Sequence, residues 1–238
     1  RAALAARAGQ LIRTVAGIPG VRAVRVLVEG GVPIGLFPGL DLRRALTASA
    51  VRSAPERGPR AVQEQLRDLG FLAPAGVTGA IDEQTGVAIL AFQKWARLER
   101  TGVLDETTAR ALWRAVRPSP QTAGDGRRIE VLLDRQLALL VEGSRVERVI
   151  HISSGAYGRT PAGSFRVFRK ERMSWSVPFS VWLPWASYFV GGIAFHEYGD
   201  VPAYPASHGC VRVNRFDAPR LYEFAVPGTP VTVLSVSA

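Results

Sequence analysis

Cysteine is nearly absent from this 238-residue chain: it occurs once, methionine once and histidine three times. A lone cysteine excludes an intrachain disulfide, so nothing covalent braces the fold and the redox compartment stays open. Long hydrophobic runs are absent too. No stretch approaches the ~20 consecutive apolar residues that a membrane-spanning helix needs, although 47% hydrophobic residues are ample for well-filled cores. Acidic residues are scarce beside basic ones, 20 against 30, which leaves a net charge of +10. The basic residues do not interleave with aromatics, and no zinc-finger or RNA-binding signature occurs, so no nucleic-acid partner is expected. A polyanionic surface suits the charge, and so does an arginine-rich surface with no partner. The chain opens on Arg1, so any signal peptide or anchor is expected outside this sequence.

Composition and hydrophobic period divide the chain into four stretches and predict an α+β multidomain protein. Residues 1–58 begin with Leu4, Leu11, Ile12 and Val15 at mostly helical spacing, stopped by Gly17-Ile18-Pro19-Gly20. Val21, Val24, Val26 and Val28 predict a strand, Glu29-Gly30-Gly31 a turn, and Val32 to Phe37 the partner strand. Residues 59–117 are helical in period and contain an internal echo. Gly79-Ala80-Ile81-Asp82-Glu83-Gln84-Thr85 returns as Gly102-Val103-Leu104-Asp105-Glu106-Thr107-Thr108. Each copy offers Asp as a helix N-cap and sets Glu in the first turn, where the helix dipole favours it. Residues 118–126, rich in Pro, Gly and small polar residues, read as a linker. From residue 127 to 238 the period is two. Ile129, Val131 and Leu133, then Leu137, Leu139 and Val141, then Val146, Val149 and Ile150 predict a β-meander. Its turns fall at Asp134-Arg135-Gln136 and Glu142-Gly143-Ser144.

The single thiol, Cys210, stands in Ser207-His208-Gly209-Cys210-Val211-Arg212, fourteen residues after His196. An isolated cysteine is most often a small buried hydrophobe. Here Gly209 and two polar neighbours precede an apolar run starting at Val211, which predicts a tight loop entering a strand and an accessible sulfur. The thiolate is the nucleophilic form, and imidazole is the side chain best able to take its proton near neutral pH. The sequence therefore points to covalent catalysis by sulfur. The possible metal ligands are His151, His196, His208, Cys210, Glu197 and Asp200, but no HExxH or comparable helical pair is present and no metal is expected.

Residues 127–236 resemble the L,D-transpeptidase (YkuD-type) catalytic domain. The resemblance rests on His196, on Ser207-His208-Gly209-Cys210-Val211-Arg212, on Arg159-Thr160-Pro161-Ala162-Gly163-Ser164-Phe165 for a "TPxGxF" turn, and on Gly191 to His196 for the strand delivering the base. Residues 59–117 resemble a three-helix peptidoglycan-binding domain through Val62, Leu66, Leu69-Gly70-Phe71, Asp82, Thr85, Ala88, Phe92-Gln93, Asp105, Thr108 and Leu112. Residues 1–58 resemble the C-terminal part of a germination-and-sporulation (GerMN) module. The implied fold is a β-rich catalytic domain, a helical wall-binding domain and a small α/β N-terminal segment.

The resemblance implies an extracytoplasmic enzyme of the bacterial cell envelope that acts on peptidoglycan stem peptides and glycan without a cofactor. Cys210 is then the nucleophile, forming a thioester with a tetrapeptide stem as D-Ala leaves, and a stem-peptide amine resolves it. His196 is the implied base, oriented by the backbone carbonyl of Glu197. Gly209 and Cys210 N–H groups, with His208, form the implied oxyanion hole, and Ser207 and Arg212 bind substrate. Carbapenems are the implied covalent inhibitors. The alternatives are an L,D-carboxypeptidase on the same stems, a zinc-dependent wall peptidase, or a wall-anchoring protein that keeps the catalytic fold as scaffold. Many relatives have Gly where this chain has Glu197, whose carboxylate is expected to pair with Arg212 or an imidazole, or to repel an acidic stem. Arg212 is also readable as half of a surface salt bridge. His151 is expected to be an ordinary sheet histidine. Asn214 and Asp217 are expected as N-cap and first-turn acid of a helix containing Leu221 and Tyr222. Trp175, Trp182, Trp185, Tyr188 and Phe189 read as core, with some available to line a groove or lid.

Overall fold

The computed structural model describes residues 58–236, so the helix and hairpin expected within residues 1–58 lie outside the described residues. Those described form two compact units. One takes in residues up to 68, 72–89 and 102–116, and the other 69–71, 90–101 and 117 onward.

The first unit holds α1 (Pro59–Asp68), the first turns of α2 (Glu83–Trp95) and α3 (Glu106–Arg114). The sequence echo becomes two equivalent helix starts. Asp82 Oδ1 accepts from Thr85 N at 2.8 Å, and Asp105 Oδ1 accepts from Thr108 N at 2.7 Å. Each carboxylate satisfies an amide that a first helical turn leaves without an intrahelical partner. Val62, Leu66, Leu72, Ala88, Ile89, Ala109 and Leu112 fill this small core. Gln63, fully buried, accepts from Gly79 N and donates to Ala80 O and Thr85 Oγ1, which fixes the loop before α2.

The second unit is built on a nine-stranded sheet. Its strands are β1 (Arg127–Leu132), β2 (Leu137–Glu142), β3 (Arg145–Ser153), β4 (Gly163–Arg166), β5 (Arg169–Ser176), β6 (Val181–Val190), β7 (Ile193–Glu197), β8 (Val211–Val213) and β9 (Pro230–Leu234). They lie in the order β4-β9-β1-β2-β3-β8-β7-β6-β5. Only β1 with β9 and β7 with β8 run parallel. The expected meander is β1–β2–β3, with Ile129 opposite Leu140 and Ala138 opposite Ile150. One face packs Ile129, Val131, Leu140, Ile150 and Ile152 with Phe195, Val211, and Leu221 and Phe224 of α4 (Ala218–Phe224). The alternation of the meander predicts a solvated opposite face, yet β2 is buried on both faces up to its last residue. Stretches 69–71 and 90–101 belong to this unit, and Gly70 O accepts from Val149 N of β3 at 2.9 Å.

The Pro/Gly stretch 118–126 is strapped to the sheet by a buried ion pair. Glu130, with no exposed surface, accepts from Gln121 N, Thr122 N, Thr122 Oγ1 and Arg128 Nε. Arg128 in turn donates to the carbonyls of Thr122, Gly124 and Gly143 at 2.7–2.9 Å. Both charges are therefore surrounded by partners, the condition under which a buried pair is tolerated. Asp217 also differs from its expected role. Expected as a first-turn acid, it stands instead at the N-cap position before Ala218, makes no side-chain cap bond and pairs with Arg148 at 2.6 Å, while Asn214 Oδ1 accepts from Phe216 N and Asp217 N.

Arg128→Met should destabilise the protein by about 3–5 kcal/mol, because it leaves Glu130 charged and buried without its cation. Adding Glu130→Leu should make the double change cost less than the sum of the two single ones. Urea unfolding of the four proteins checks both statements.

Candidate active site

The site is set by the parallel pairing of β7 and β8, in which Phe195 lies opposite Val211, His196 opposite Arg212 and Glu197 opposite Val213. Successive strand side chains alternate between faces. Phe195 and Val211 therefore enter the core, while His196 and Arg212 share the other face, toward which Cys210 precedes β8.

Cys210 is half-buried, and its thiol points at the carbonyl of Gly192, 3.7 Å away. Burial pushes the thiol pKa up, while the Ala194 N–H and the Arg212 guanidinium pull against that shift. His196 is nearly buried, and burial pushes its pKa down; its bond to Glu197 O opposes that, and Arg212 adds to it. Its Nδ1 lies 2.8 Å from the Glu197 carbonyl. A carbonyl only accepts, so Nδ1 carries the proton and Nε2 is left as the basic nitrogen. At neutral pH the pair thus rests as thiol and neutral imidazole. Among the described residues no hydrogen bond joins Sγ to the ring, so the two would have to close on each other when a substrate arrives.

The Glu197 carboxylate does not make its expected pairings. Alternation sends it to the strand face opposite His196, and Arg212 lies over the Tyr198 ring at 4.2 Å with Asp200 Oδ2 at 3.8 Å. Gly209 departs from expectation as well. Its N–H donates to Ser207 Oγ at 3.1 Å, so it is not free to face an oxyanion. Its φ of +142°, which favours glycine, is the reason that residue stands there. Ser207 Oγ in turn donates to Cys210 O, closing the loop on itself. His208 is exposed and stacks on Phe179 with ring centroids 4.7 Å apart. Phe179 caps the β5–β6 hairpin, where Trp175 and Trp182 meet edge to face and are about half exposed. Tyr188 and Phe189 are core, and Trp185 packs on Tyr222 of α4. No group of three or more His, Cys, Asp or Glu that could hold a metal ion exists among the described residues.

Two supports of the Cys210 loop carried no role in the sequence reading. Thr160 Oγ1, buried in the "TPxGxF" turn, accepts from Gly155 N at 2.8 Å and donates to Gly209 O at 2.7 Å. Gly155 itself bridges to Ser207, and Ser154 O accepts from Ala206 N and Ser207 N. A Cβ on Gly155 would lie 2.8 Å from Thr160 N and 2.9 Å from Gly209 Cα. Its sequence signal is only a glycine just past a strand, whereas its need for glycine arises from the backbone of Arg159 and Thr160 in the next turn and of Gly209 far along the chain.

Comparison with known proteins identifies the two domains. The family described as the L,D-transpeptidase catalytic domain matches residues 126–233, and a peptidoglycan binding domain family matches residues 57–112. An L,D-transpeptidase structure from Xylanimonas cellulosilytica is 30% identical, with a TM-score of 0.69 over 91% of this chain and 100% of that one. An L,D-transpeptidase from Stackebrandtia nassauensis is 26% identical, with a TM-score of 0.49 over 76% of this chain and 93% of that one. No curated protein matches the chain significantly.

Iodoacetamide should alkylate Cys210 at a rate that keeps rising beyond the ordinary thiol pKa of ~8.5, because the raised pKa delays thiolate formation. Below that range the rate should fall as thiol replaces thiolate. A rate plateau near pH 6–7 would instead reveal a preformed thiolate–imidazolium pair. Gly155→Ala should cost about 1–3 kcal/mol by forcing backbone apart and should change the alkylation rate of Cys210. Urea unfolding and labelling followed by intact mass spectrometry read the two effects.

Proposed function

Since this chain belongs to the L,D-transpeptidase family, and its two matched domains act at the bacterial cell wall, we propose that it crosslinks peptidoglycan stems through a thioester on Cys210. The supporting observation is that His196 and Cys210 approach one face of paired parallel strands, with Nδ1 of the histidine held by its own strand.

The reaction runs in two transfers. Cys210 Sγ attacks the carbonyl of the third stem residue as its proton passes to His196 Nε2. The Ala194 N–H and the Arg212 guanidinium favour the developing thiolate. Because both groups start uncharged, proton removal and attack are coupled rather than sequential. The negative oxygen of the tetrahedral intermediate is met by the Cys210 N–H, with the His208 imidazole at the open side. Collapse expels D-Ala, whose nitrogen takes the proton from His196, and leaves the thioester. A side-chain amine of a neighbouring stem then attacks, gives its proton to His196, and releases Cys210 as thiol. Water in place of the amine yields the L,D-carboxypeptidase outcome on the same residues. Arg212 remains the cation available for a stem carboxylate, once the substrate competes with its contacts to Asp200 and Tyr198. The helical unit would hold the enzyme on the wall, in the extracytoplasmic envelope.

Cys210→Ala should abolish crosslinking and trimming of tetrapeptide-containing muropeptides while the protein remains folded. Intact-protein and product mass spectrometry report acyl-enzyme, crosslinked dimer and trimmed stem together. Turnover by Cys210→Ala near the wild-type rate would rule out the sulfur mechanism. A carbapenem should add its mass to the wild-type protein and not to Cys210→Ala, since a strained lactam carbonyl imitates the acyl donor. His196→Ala should slow the adduct by about 100-fold or more through loss of the base. Glu197→Gln should change the rate less than about twofold, because that carboxylate lies on the other face of β7.

A further inference from the structure

Lys94 and His151 form a buried pair that the proposed reaction does not use. Lys94 lies near the end of α2 with no exposed surface. Its Nζ lies 3.1 Å from Gln136 O, 3.1 Å from Ile152 O and 2.6 Å from His151 Nδ1. On the other side of the ring, His151 Nε2 lies 2.8 Å from the carbonyl of Val201. That carbonyl can only accept, so Nε2 carries the ring proton and Nδ1 accepts from Lys94. Burial pushes His151 down to about 3, which keeps the ring neutral and holds this tautomer. Burial also pushes Lys94 down to about 6, with the Arg100 guanidinium adding to the shift; three acceptors lie around Nζ, and only an ammonium can donate to all of them together.

Val201 lies in the connection between the histidine strand and the cysteine, which follows Glu197. The same connection is gripped at its next residues. Arg100 donates to Ala203 O at 3.0 Å and to Asp134 O at 3.1 Å. Ser153 Oγ donates to Tyr204 O at 2.7 Å, and Ala206 N and Ser207 N both reach Ser154 O. The carbonyls of Val201, Ala203 and Tyr204 are thus each held by a side chain from outside the loop. Two of those three anchors depend on residues 94–100, which lie outside the matched catalytic stretch 126–233 but within the same compact unit.

We propose that Lys94, through His151, and Arg100 are positioning residues that set the Val201–Ser207 loop and so fix where Cys210 sits relative to His196. The loop leaves β7 immediately after the base and returns as the nucleophile segment, so a shift of its carbonyls moves one reacting group and not the other. Misplacement on the scale of 1 Å is enough to slow such a reaction by orders of magnitude. In its effect on rate the inference rests on the proposed function, but in its effect on the loop it does not.

The test uses the whole chain and two readouts. Arg100 is exposed, so Arg100→Ala should fold. In that variant, amide hydrogen exchange at Ala206 and Ser207 should accelerate about tenfold, and kcat on a tetrapeptide muropeptide should fall about tenfold with KM within about twofold. Arg100→Lys, which can still reach one carbonyl, should recover part of both. Lys94→Met should produce the same pair of changes more strongly; where it fails to fold, the arginine variants alone decide. Unchanged exchange in Arg100→Ala, or faster exchange with unchanged kcat, would overturn the proposal. A wild-type protein that forms no acyl-enzyme would sink the proposed function instead, and the exchange arm would still decide the role of Arg100 in holding the loop.

Discussion

Parallel pairing of β7 with β8 in a single register is the constraint on which the rest of the site depends. Sliding β8 by one residue would turn Val211 out of the core and drive Arg212 into it, because side chains alternate along a strand. Burial of Phe195 and Val211 therefore holds His196, Arg212 and the approach of Cys210 on the opposite face. A parallel pair needs a long crossover connection, and here that crossover runs from Tyr198 to Cys210. The chemistry is thereby placed at the end of a loop that must itself be held. Thr160, Gly155, Ser154 and Ser207 hold the end next to Cys210, and His151, Ser153 and Arg100 hold the middle.

The electrostatics of the site follow from burial rather than from ion pairing. Desolvation disfavours both charged forms, the thiolate of Cys210 and the imidazolium of His196. A cysteine kept as a thiol is protected from adventitious attack and oxidation, since the thiolate is the reactive species. In the proposed reaction, charge develops only when an acyl donor fills the site, where the Ala194 N–H, the Cys210 N–H and Arg212 would meet it. The same reasoning explains why Arg128–Glu130 is so heavily bonded: a buried charge with an empty valence would cost several kcal/mol.

Much of the fold was legible in local sequence. The Asp82 and Asp105 echoes became paired helix caps, and the period-two runs became β1–β3, because capping and alternation are decided by neighbours within a few residues. The carbonyl that orients His196 was also legible, since it belongs to the next residue. What could not be read were partners far along the chain. Glu197 was expected to pair with Arg212 or an imidazole, or to repel an acidic stem, but strand alternation separates its carboxylate from Arg212 and His196. Gly209 was expected to offer its amide to an oxyanion, but Ser207 takes it. His151 looked ordinary until the end of α2 brought Lys94 against it.

The sequence alone determined which candidate groups this protein offers: one thiol, one histidine ahead of it, and the turn residues that make a strand begin at Val211. Those are properties of composition and short spacing, and they fix what chemistry is available. Only the tertiary structure decided how that chemistry is held. The nine-strand order brings Gly155 and Thr160 to Gly209, buries the thiol and the imidazole enough to keep both neutral, and sets Lys94 and Arg100 against the connecting loop. Each of these depends on packing between residues tens of positions apart, which no local pattern encodes.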